Sequence, residues 1–454
     1  VFPPYRAWIF GAGTVIGTNA VTHLIMAQGV ALGFLGLLGL TDYWAWRHGK
    51  GSPESWAKLL KRYLTFGTVV SSIGGAVTGG GIWFTIGTLA PRATASMLRI
   101  FFWPWFIEYL VFFLEVVAVL VLYFAWEWLG RHRRLRIALA VLYSGYSFLS
   151  AVLITGILGF MLTAGDWPAD RSLASAFLNP SFWPQLLARV SIAGILGVLF
   201  AMVLAYRHGI EPEVRESIMR PLGVVLLIAV STFIPALAWY LLVVPDFYTT
   251  RKVYAVLTQH LSQTPAIFYA ANGAAGLLLL TIAGVGIARK VTAVRVLMIP
   301  GLVAAAGLVA EMERVREFIR GPYLMPSHMY VSEVLLAETP LFRQQGMRPG
   351  QYWHQRLGTD GNLDQMGAEL FDGNCMLCHT AGGINNIRSR IAGRSEDGLA
   401  VIIDRTRDLV SFMPPFSGDA LERRLAARFL YRLGQGKVEL ASRNRMRVEE
   451  RGSP

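Results

Sequence analysis

The sequence predicts an all-α protein: a polytopic membrane helix bundle of about eight spans followed by a small all-α domain. Three observations carry this reading. The 454 residues are 54% hydrophobic and 16% charged, with a mean hydropathy of +0.45, whereas a soluble globular domain has about 25% charged residues. Apolar runs of about eighteen residues or more, long enough to cross a bilayer as helices, recur through the first 320 positions. Further on, an amphipathic helix around Gly367-Ala368-Glu369-Leu370-Phe371 leads into Cys375-Met376-Leu377-Cys378-His379, which holds both cysteines of the chain.

In chain order, residues 1–16 come first. They are too short and too broken by Pro3 and Pro4 to cross, and are expected to lie at the interface. The chain opens at Val1, which leaves room for a segment upstream. Spans are then expected at 18–41, 63–90, 101–128, 135–162, 184–206, 220–244, 265–288 and 292–312. Arg47, Lys50, Lys58, Lys61 and Arg62 follow the first span, and Arg131, Arg133, Arg134 and Arg136 follow the third. Arg207, Arg215 and Arg220 follow the fifth, and Arg289, Lys290 and Arg295 the seventh. Alternate loops such as 163–181, with Asp166 and Asp170, are poorer in Lys and Arg or balanced by acids. The positive-inside bias makes the basic loops cytoplasmic, so eight spans bring both termini outside. The net charge of +13 thus sits in particular loops, and no nucleic-acid partner is expected. The expected location is the bacterial inner membrane, multi-pass and in contact with lipid.

Residues 1–322 form the expected membrane domain. Residues 323–366, with Pro326, Pro340 and Pro349, read as a linker; 367–440 read as the small domain and 441–454 as a charged tail. In Cys375-x-x-Cys378-His379, two thiols are spaced to add to the vinyl groups of a haem while the histidine takes the iron from one side. A zinc half-site would need a second ligand pair, and there is no third cysteine. A redox dithiol would sit in a βαβ pattern, which is absent. Met413 opens Met413-Pro414-Pro415-Phe416 thirty-four residues past His379, where a small class I c-type cytochrome has its second axial ligand, and a helix is expected over 419–433. The domain therefore reads as a cytochrome c with covalent haem c. Haem c is attached on the outer face of bacterial membranes, the side on which the loop charges put this domain.

Polar groups at bilayer depth are costly and usually functional. Of eight histidines, only His23 lies in an expected span, beside Asn19 and Thr22. A diheme b cytochrome with two bis-histidine haems needs four, so that class is excluded. His23 alone fits a satisfied buried histidine as well as a ligand. Glu108 and Glu115, seven residues apart, fall on one face of the third span and read as a functional pair. The end of the eighth span, Glu311, Glu313, Arg314, Arg316, Glu317 and Arg320, reads by itself as a solvated interfacial run.

Two stretches supply context. Gly75-Ala76-Val77-Thr78-Gly79-Gly80-Gly81-Ile82-Trp83-Phe84-Thr85-Ile86-Gly87 resembles the Gly-x-x-Thr-Gly…Phe-x-x-Gly stretch of cytochrome bd-type oxidase subunit I. Phe106-Ile107-Glu108 and Phe112-Phe113-Leu114-Glu115 resemble the family's two-glutamate helix, with a spacing one residue shorter. The resemblance is good over 15–165, patchy to about 323, and does not reach 367–440. It implies that His23 is an axial ligand of a high-spin haem. Glu317-Phe318-Ile319-Arg320-Gly321-Pro322-Tyr323 is similar to the family's Glu-x-Gly-Arg-Gln-Pro-Trp, which implies Glu317 as carboxylate ligand of another high-spin haem and Arg320 as its partner. It also implies that Glu108 and Glu115 lie at the haem pair or its proton path. One or two non-covalent haems of b or d type are therefore expected. The departures are informative too. Where the family has its low-spin haem ligands, this chain reads Leu187-Ala188-Arg189-Val190 and Ala270-Ala271-Asn272. The loop 245–263 is too short for the family's quinol-binding loop, and the ninth span is replaced by the linker and the small domain.

The expectation is a respiratory electron-transfer haem protein. It would exchange electrons between high-spin membrane haems and other membrane subunits or a periplasmic or complex-bound cytochrome, through an outward haem c, with oxygen reduction open to it. The alternative is a non-catalytic electron-transfer or anchor subunit of a larger respiratory complex. A third reading, a scaffold without membrane haems, leaves His23 and Glu317 unexplained.

Overall fold

The computed structural model describes residues 9–245, 265–347 and 363–438. Among these, eight helices are long and apolar enough to cross a membrane. They are α1 (Ala12–Arg47), α2 (Pro53–Leu89), α3 (Phe102–Phe124), α4 (Arg133–Gly159), α5 (Phe182–Ala205), α6 (Pro212–Val243), α7 (Pro265–Ile287) and α8 (Val291–Ile319). Each expected span has its helix, with ends displaced by local chemistry. Ser52 caps α2 by accepting from the Ser55 amide, and Pro53 supplies a first residue that needs no hydrogen-bond acceptor. α1 runs past residue 41 because Asp42 is neutralised there: Arg133 Nε and Arg136 Nε lie 3.0 and 2.7 Å from its carboxylate.

The chain divides into two compact units. One is the bundle, Ala20–Gly81 with Ile100–Ile319. The bundle centres on α5, which packs against α1, α4, α6 and α8 and is the most buried of the spans. Lipid is as apolar as leucine, so helices associate in a bilayer by close packing of small residues. At the α1–α5 crossing a Cβ on Gly33 would fall 1.9 Å from the Ala193 carbonyl oxygen, so backbone meets backbone there. Two stretches widen to π-helix, Ile25–Phe34 in α1 and Val70–Gly75 in α2, and they pack against each other. Such turns recur at functional sites.

The other unit comprises the described parts of Val1–Asn19, Ile82–Arg99 and Arg320–Pro454. The segment read as a linker has its own structure over 323–347: strands β1 (Tyr323–Met325) and β2 (Met329–Tyr330) pair antiparallel, and a short helix, Thr339–Gln345, follows. It engages the helix Pro91–Ile100, where Glu333 accepts from the Ala93 amide at 2.8 Å and Arg92 meets Glu338 at 2.6 Å. Nothing local in the sequence announces pairing across so many residues.

The helices α9 (Leu363–Asn374), α10 (Glu396–Asp404) and α11 (Ala420–Gly434) close a core around Phe371 and Phe429, whose rings lie 5.8 Å apart. Gly367 lets α9 and α11 cross closely, since a Cβ there would lie 2.4 Å from the Leu425 carbonyl oxygen. α11 starts with a capping box of Asp419 and Glu422, one residue from the start the sequence implies.

Candidate functional site

At the end of α9 the chain makes one tight turn. The Cys375 amide donates to the Phe371 carbonyl, and the amides of Cys378 and His379 both donate to the Cys375 carbonyl, at 3.2 and 2.9 Å. Both thiols and the imidazole thus stand on a single turn, Cys375 half-buried and Cys378 exposed, neither in a disulfide. Burial, with Cys378 and Asp372 adding, pushes the Cys375 thiol up to about 12. Burial, with Arg390 adding, brings His379 down to about 4, so its imidazole is neutral at physiological pH and keeps a lone pair for a metal. His379 Nδ1 is buried, and a backbone hydrogen bond with Asn385 partly offsets the downward shift of the ring. Among the described residues no three His, Cys, Asp or Glu converge on a metal-ion position.

Asn374 ties this turn to its surroundings. Its amide donates to the Leu370 carbonyl at 3.0 Å and faces the Met347 sulfur at 3.2 Å, while its oxygen accepts from the Ser417 amide at 3.3 Å. Ser417 follows Met413-Pro414-Pro415-Phe416, so the loop bearing Met413 is fastened beside the attachment turn. Met413 is held by its amide to the Val410 carbonyl, and Thr406 Oγ1 donates to the Pro414 carbonyl at 2.8 Å. The N-terminal residues join the same turn, the Gly13 amide donating to the Leu377 carbonyl at 3.0 Å. Met347 and Asn374 carry no chemical signature in the sequence and were not expected here.

In the bundle, His23 Nδ1 lies 3.0 Å from Thr78 Oγ1, which also lies 2.7 Å from the Gly74 carbonyl oxygen. A Cβ on Gly79 would fall 3.1 Å from His23 Cε1, so the ring lies flush on α2. Glu108 and Glu115 share the face of α3 turned to α4. Ser150 Oγ donates to Glu108 at 3.1 Å, and Tyr143 Oη, which also reaches the Ala31 carbonyl, lies 3.0 Å from buried Glu115.

The acid–base run at the end of α8 is not a solvated one over 313–316. Arg189 of α5 is 5% exposed and meets Glu313 at 3.2 Å; Arg316 meets Glu313 at 3.0 Å and Glu317 at 2.7 Å. The Gln185 amide, turned with its oxygen to Arg189, accepts from it at 3.2 and 3.3 Å. A guanidinium so engaged offers no lone pair, so this position does not fit an iron ligand. Asn272 lies on α7. Arg320 is buried in the second unit.

Among solved structures, the chain is similar to one in "The structure of bd oxidase from Geobacillus thermodenitrificans", with a TM-score of 0.55 and 12% identity, covering 70% of this chain and 89% of that one. The fold is bd-oxidase-like. No protein-family model and no curated protein matches the chain. Within this bd-oxidase-like bundle, His23 is the one histidine in a span among the described residues.

Proposed function

We propose that this chain is a membrane haem protein of respiratory electron transfer, exchanging electrons through a haem c held outside the bilayer. The observation that carries the proposal is the turn Cys375–His379, which brings two thiols and an imidazole together on a chain with a bd-oxidase-like bundle. In this reading Cys375 and Cys378 would hold the haem through thioethers, and His379 and Met413 would supply its iron ligands. His23 and Glu317 would hold one or two non-covalent haems of b or d type, with Arg320 the partner that the resemblance implies for Glu317. Haem, when bound, supplies one-electron exchange and, at an open iron face, oxygen chemistry. The chain's own residues do the rest. Glu108 and Glu115, steadied by Ser150 and Tyr143, take up and release protons within the bundle. The basic loops hold the even-numbered connections outside, in the bacterial inner membrane, where the small domain meets a periplasmic or complex-bound cytochrome. Other membrane subunits of a respiratory complex complete the assembly. A pyridine haemochrome spectrum before and after acid–acetone extraction tests this. One covalent haem c and at least one extractable haem per chain are expected; a chain with no covalent haem overturns it.

A second reading, an electron-transfer or anchor subunit without oxygen chemistry, is favoured by one observation. The Glu317 carboxylate that would ligate a second iron is already paired with Arg316 at 2.7 Å.

A further inference from the structure

We propose that Thr78 is a positioning residue that fixes His23 in the tautomer with its proton on Nδ1 and its lone pair on Nε2. This rests on the reading of His23 as an iron ligand and names the group that prepares it. Thr78 has one hydroxyl proton and three neighbours, the Gly74 and Gly75 carbonyls and His23 Nδ1. The Gly74 carbonyl, at 2.7 Å and four residues back along α2, can only accept, and helical threonine characteristically donates there. The Gly75 carbonyl, at 3.2 Å, shares that side of the hydroxyl and is likewise an acceptor. With its proton spent on the helix, Thr78 Oγ1 turns a lone pair to His23 Nδ1 at 3.0 Å, which is then the donor; the ring also meets the Gly75 backbone, on the same turn of α2. A neutral imidazole protonated on Nδ1 leaves Nε2 unprotonated, the state an iron ligand requires.

The helices prepare this meeting. The π segment of α1 begins two residues after His23, and that of α2 ends three residues before Thr78. Gly79, next to Thr78, leaves the ring space against α2 that any side chain would occupy. A hydrogen bond donated from the far nitrogen also makes a ligating imidazole more basic, and loss of such a partner typically lowers metal affinity about 10–100-fold.

The test uses the full chain in nanodiscs, with Thr78→Val, Thr78→Ser and His23→Ala. Haem affinity is read by titration of extractable haem, and ligand strength by the ferrous iron–histidine stretch in resonance Raman; the covalent haem serves as an internal reference. Thr78→Ser should match the wild type. Thr78→Val should weaken the His23-dependent haem about 10-fold or more and lower the stretch frequency, with haem c unchanged. Thr78→Ala repeats the measurement without added bulk if the valine variant does not assemble. Wild-type affinity and stretch in both Thr78→Val and Thr78→Ala, with His23→Ala losing the haem, would overturn the role of Thr78 and leave His23 as ligand. If His23→Ala keeps the extractable haem and the stretch, the ligand reading falls, and this proposal with it.

Discussion

Met413 and His379 set the character of the proposed haem c. A thioether opposite a histidine keeps the iron low-spin and raises its potential above that of a bis-histidine pair. Met413→Ala should leave the haem covalently bound, abolish the weak near-infrared methionine–iron band and lower the potential, as a redox titration would show. An unchanged band would turn attention to Met347, whose sulfur already stands beside Asn374 next to the attachment turn. Glu333 offers a different test. Burial, partly offset by the Ala93 amide and Arg92, pushes its carboxyl up to about 7. The folded state holds this proton more tightly than the unfolded chain, so the stabilisation is full below about 4.5 and is lost as pH rises through about 7. Glu333→Gln keeps an acceptor for Ala93 and carries no charge, so thermal midpoints should rise relative to wild type above pH about 7 and converge near pH about 5. Equal slopes in both proteins would remove Glu333 from the pH response. At this scale the spacing of Cys375-x-x-Cys378-His379 is legible in the sequence as one turn, which the structure forms. Thr78 lies inside the glycine stretch 75–87, yet its proposed role needs a partner from another helix, which no local pattern records.

Among the elements, hydropathy located the spans because bilayer thickness sets their length. It did not reveal the π segments, since residues 25–34 and 70–75 are as apolar as the α-helix around them. Nor did it foresee that residues 91–100 and 323–338 would join, because Arg92–Glu338 and Ala93–Glu333 link distant parts of the chain. Arg133 and Arg136 read as topological charges, and they are also the clamp between α1 and α4. Asp42 is 4% exposed and Arg136 9%, so Asp42→Ala leaves a buried guanidinium without its partner. Breaking a buried pair in this way costs about 3–5 kcal/mol. Chemical denaturation of the detergent-solubilised chain should show a loss of that order. Asp42→Ala with Arg136→Met should recover part of it, and a single variant within about 0.5 kcal/mol of wild type would deny the clamp its weight.

For the whole molecule, the question is which donor feeds the bundle. Where the family has a low-spin haem ligand this chain has Arg189, and that side chain is bound to Glu313 and Gln185 in a network that continues through Arg316 to Glu317. A cation locked between a carboxylate and an amide cannot ligate iron, so the usual quinol-side electron entry has no ligand at this position. The short loop that would otherwise receive quinol, 245–263, lies outside the described residues except for Pro245. In the proposed reading the small domain, with its haem c, is the port. Stopped-flow mixing of the purified chain with ubiquinol or menaquinol should reduce its haems slowly and without sensitivity to quinone-site inhibitors. A reduced soluble cytochrome c should reduce haem c first and the extractable haem afterwards, and Met413→Ala should slow both phases together. Carbon monoxide then separates the two readings of function. A shift of the His23-dependent band, with oxygen uptake from reduced cytochrome c, supports an oxidase; bands that do not move mark a closed iron and an electron-transfer subunit. Rapid, inhibitor-sensitive reduction by quinol would overturn the electron route from haem c inward, whatever carbon monoxide does.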